Sequence, residues 1–194
     1  MAVITRVYDT YAHARQVVAD VETAGVPTDD VSLLANKHVS DAYDDVEDVS
    51  AAGSGAGAGA AIGGGAGLLA GLGMLAIPGL GPVVAAGWLA ATAVGAAAGA
   101  VAGGLIGALV GAGVSESDAH VYAETVRRGG TMVTVRAPDS RASEIEAIMD
   151  RHGPIDIAAR GEAYRSSGWT KFDPGAEPYR PSQAELERMR RDYV

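Results

Sequence analysis

The residues able to do proton or metal chemistry are few and scattered. His13, His38, His120 and His152 include no pair of histidines at i, i+4 spacing, and no metal-ligand set is read from them. They are expected in solvent or at helix ends. Asp29-Asp30 and Asp44-Asp45 are paired carboxylates in turn-like and linker-like surroundings, where solvation is the ordinary state. Arg127-Arg128 precede Gly129-Gly130, a place where cations meet the negative end of a helix dipole. The chain has no cysteine, which removes thiolate ligands, cysteine nucleophiles and disulfides. No Ser/His/Asp arrangement stands out. "GAGAGA" (55–60) gives G-x-G-x-x-A, but no strand immediately precedes it and no acidic residue follows at the usual distance, so the dinucleotide fingerprint fails its context. No catalytic residue, cofactor or metal is expected, and the chain reads as a non-enzyme.

Partners are bounded by charge. A formal net charge of −9 argues against nucleic acid, whose phosphates need concentrated Lys and Arg, and against electrostatic adhesion to anionic lipid. "MAVITRVYDTYAHARQ" lacks a basic stretch followed by an apolar one, so no signal peptide is expected. The cytosol, or the inner face of the cell membrane, is the expected location.

The elements that would position any site fall into four stretches. In residues 1–50, "AVITRVYD" predicts a strand. A helix capped by Asp9 or Thr10 follows, with Ala14, Val17, Val18 and Val21 on one face, and "VSLLAN" (31–36) predicts a second strand before an acidic linker. In residues 114–160, Ser115 and Asp118 open a helix with Ala119, Tyr122, Ala123 and Val126 inward. "TMVTVRA" (131–137) reads as a strand, a helix with Ile145, Ile148 and Met149 comes next, and "IDIAA" (155–159) reads as a last strand. The order predicts an α+β sandwich built on a small ferredoxin-like sheet. Residues 161–194 read as an extended tail with a short C-terminal helix, pinned by Trp169, Phe172 and Tyr179.

Residues 51–113 are a different material. The chain carries no charge from Val49 to Ser115, and twenty of its 27 glycines lie there. Gly55, Gly59, Gly63, Gly67 and Gly71 are each four apart, as are Gly95, Gly99, Gly103, Gly107 and Gly111. Each glycine forfeits about 1 kcal/mol of helix propensity against alanine, a loss that close helix packing would offset. "IPGLGP" (77–82), with Pro78, Gly79, Gly81 and Pro82, marks a reversal. The expectation is a glycine-zipper helical hairpin, with one arm from Ala51 to Ile77 and the other from Val83 to Val114. Each arm would span at least about 40 Å, enough to cross a hydrocarbon core of about 30 Å. A transmembrane hairpin that also drives homo-oligomerisation is the first expectation. The alternative is a soluble homo-oligomer with the hairpins buried in the assembly.

"GVSESDAHVYAETVRRGGTMVTVRAPDSRASEIEAIMDRHGPIDI" resembles the C-terminal half of bacterial general stress protein 17M-like (YflT-type) domains. These run glycine, a capping serine or proline, acidic residues, an A-x-x-Y helix, a Gly-Gly turn and a hydrophobic strand. "VYDTYAHARQVVADVETAGVPTDDVSLL" resembles the matching N-terminal βαβ, and "IPGLGPVVAAG" the apolar insertion of glycine-rich members. The resemblance covers about residues 3 to 160. It implies a stress-associated, non-enzymatic bacterial protein and supplies no catalytic residues. A ligand-sensing module, paired through a ferredoxin-like sheet, is the rival function.

Overall fold

The computed structural model describes residues 1–36, 73–77, 80–89, 91, 92, 104–177 and 179. Five strands, β1 (Ala2–Tyr8), β2 (Val31–Asn36), β3 (Gly73–Ile77), β4 (Gly81–Ala86) and β5 (Thr131–Ala137), form one sheet in the order β1-β5-β2-β4-β3. Every neighbouring pair is antiparallel. Among the described residues five α-helices accompany it: α1 (Tyr11–Thr23), α2 (Gly104–Gly111), α3 (Glu116–Arg127), α4 (Ala142–Asp150) and α5 (Ile157–Ser166). The protein is α+β.

Both faces of the sheet are covered. The two-residue period of a strand sends Ile4, Tyr8, Val31, Leu33, Val84, Val133 and Val135 to one face, where α1 and α4 add Val17, Val21, Ile145 and Met149. Val7, Leu34, Val83, Ala85 and Met132 point to the other face and meet Leu105, Leu109, Tyr122 and Val126 of α2 and α3. Burial on both faces explains the unbroken apolar character of β2, whose six residues are all buried. Helix starts follow local chemistry. Thr10 Oγ1 accepts from the His13 amide, and Ser115 Oγ accepts from the Asp118 amide.

Three expectations need correction. First, the residues around the expected hairpin tip are not helical. Gly73–Ile77 and Gly81–Ala86 are strands, paired so that Ile77 faces Gly81 and Leu33 of β2 faces Ala86. A short uncharged run bounded by glycine and proline reads alike as helix or buried strand, and the free side of β2 decides the matter by offering backbone partners. Second, "IDIAA" makes a single strand-like bond, Ile155 N–H to Val7 O at 2.7 Å, and then turns into α5. The Asp156 carboxylate caps that helix by accepting from the Ala159 amide at 3.0 Å, so α5 occupies the start of the expected tail. Third, the sheet order is not that of a classic ferredoxin-like sheet: β4 and β3 extend it beyond β2, and helices lie on both faces.

On β1, Thr5 O accepts from Tyr122 Oη and from the Arg6 guanidinium, both at 3.1 Å, while Val7 O is taken by Ile155. Arg6 also holds Asp150 at 2.7 Å. Two main-chain acceptors on that edge, Thr5 O and Val7 O, are therefore occupied, and a charge stands beside them, which discourages pairing with another strand.

Candidate functional site

The described end of the glycine-rich insertion is α2. Leu105, Ala108 and Leu109 are buried against the sheet and α3. The opposite face carries Gly107, Val110 and Gly111, all exposed, with Val110 at 43%. A Cβ built on Gly107 or Gly111 would meet nothing within 4 Å. The close helix contact expected at these two glycines is therefore not made with any described residue of the same chain. What the face offers is bare backbone, able to admit another helix at short distance. Gly55, Gly59, Gly63, Gly67, Gly71, Gly95, Gly99 and Gly103 lie outside the described residues, as do Pro78 and Gly79. Gly81 and Pro82 open β4.

A second constellation sits at the C-terminal end of α3. Glu124 is 1% exposed, and both its carboxylate oxygens are engaged. Arg127 donates to Oε2 and Oε1 at 2.8 and 2.7 Å, and Arg128 donates to Oε1 at 2.6 Å. The hydrogen bond to Glu124 raises the pKa of Arg127 above its ordinary value, outweighing the opposing effect of burial. Asn36, fully buried at the end of β2, donates its amide to Arg127 O at 3.0 Å and Leu80 O at 3.3 Å. One polar knot thus ties β2, the turn before β4 and the end of α3.

Aromatic residues of α5 and of the chain that follows it complete it. The Arg128 guanidinium lies 4.5 Å from the Tyr164 ring, and Tyr179 lies 5.5 and 5.8 Å from Arg127 and Arg128. Trp169 meets Tyr164 edge to face at 5.7 Å, and Phe172 is buried in the core shared with α2 and α3. Of the three expected anchors, two lie at that core and Tyr179 lies on the arginines.

Other chemistry-bearing residues are dispersed. His152 pairs with Asp20 at 2.9 Å, and Asp30 takes Arg136, whose guanidinium also lies 4.7 Å from the Trp88 ring. His38, Asp44 and Asp45 lie outside the described residues. Among the described residues no group of three or more His, Cys, Asp or Glu could hold a metal ion. No described helix is long and apolar enough to cross a membrane.

Comparison with known proteins finds no matching family model, no similar curated protein and no similar solved structure. Function must therefore be argued from the geometry. Sequence reasoning missed Glu124 and Asn36. The spacing of Glu124, Arg127 and Arg128 at i, i+3 and i+4 was the available signal for the first. Asn36 gave none, because its partners are main-chain oxygens distant in sequence.

Proposed function

We propose that this is a non-enzymatic protein that associates with copies of itself through its glycine-rich insertion, in the stress-associated class that the family resemblance implies. The observation that carries the reading is the outward face of α2. Gly107 and Gly111 meet no described residue while Leu105 and Leu109 of the same helix are buried. A face that sacrifices helix propensity and touches no described residue of its own chain is best explained by a partner that needs the backbone bare. The Glu124 knot fits a structural role, since both carboxylate oxygens are held by guanidinium groups.

Membrane attachment through a spanning hairpin is the weaker reading. Ile77, Leu80, Val83 and Leu89, around the expected tip, are buried in the same core as α2 and α3. Asn36 and Gly73 belong to one sheet, so residues 37–72 would have to cross a bilayer twice, and each helical crossing takes about 20 residues. That stretch also holds Asp41, Asp44, Asp45, Glu47 and Asp48.

Gly107→Leu tests the proposal. Among the described residues the new side chain has room, and it improves helix propensity by about 1 kcal/mol, so thermal stability of the separated chain should hold or rise. Between copies it forces backbones apart, and particle mass by light scattering should fall. An unchanged particle mass with the fold intact would refute the glycine contact.

A further inference from the structure

We draw no further inference here: the strongest candidate, the outer edge of β3 at the end of the sheet, where a second copy of this chain would add a strand, carries nothing because Met74 on it is already engaged and nothing among the described residues shows what covers the rest.

Discussion

Gly87→Ala is expected to destabilise the protein by about 3 kcal/mol or more and to detach β3 and β4 from the sheet. Gly87 follows β4 with a φ of +89°, a left-handed conformation that costs a residue with a side chain about 1–2 kcal/mol. A Cβ there would also collide with the Val31 carbonyl oxygen and lie 2.7 Å from Ser32 Cα. The obstruction is backbone of a central strand, which cannot swing aside, and forced overpacking typically adds about 1–3 kcal/mol. Ser32 Oγ donates to Ala86 O at 2.8 Å across the same approach, so displacement of the turn would break that bond too. Denaturant unfolding gives the stability change, and hydrogen exchange at residues 81–86 shows whether the strand leaves. A helical arm running through Gly87 would respond in the opposite direction, gaining about 1 kcal/mol from alanine.

Glu124→Ala should be the second large effect, about 3 kcal/mol. Breaking a buried ion pair from one side costs about 3–5 kcal/mol, because the partner charge is left behind. Arg127 and Arg128 keep 16% and 32% side-chain exposure, so water partly compensates and the lower end applies. Arg128→Met should cost only about 1 kcal/mol, since Glu124 retains both bonds from Arg127 and the stem still covers Tyr164. Urea unfolding of the two variants gives the comparison. Equal costs would mean that the carboxylate is not the centre of the knot.

The strands at 31–36 and 131–137 were legible because β-branched and apolar residues stand between turn-forming ones, and helix starts at Thr10 and Ser115 because a capping side chain acts within three residues. These are local causes. The strand character of Gly73–Ile77 and Gly81–Ala86 depends on β2 having an unpaired side, a fact of the assembled sheet. Asp156 shows a local contest that a β-branched pair loses to a cap, which the apolar pattern of "IDIAA" conceals. The glycine stripe was visible as spacing, but its direction was not. That Gly107 and Gly111 face outward follows only once Leu105 and Leu109 are seen to be committed to the core. The need for glycine at position 87 was equally hidden, because the obstructing Val31 is distant in sequence.

The central claim, assembly through the insertion, is tested most directly by the native mass of the unmodified chain in detergent-free buffer, measured by light scattering over a range of concentrations. A discrete particle at a multiple of 19.6 kDa, unchanged by added detergent, is the expected result. A 19.6 kDa monomer throughout, or a particle that forms only with detergent, would contradict it.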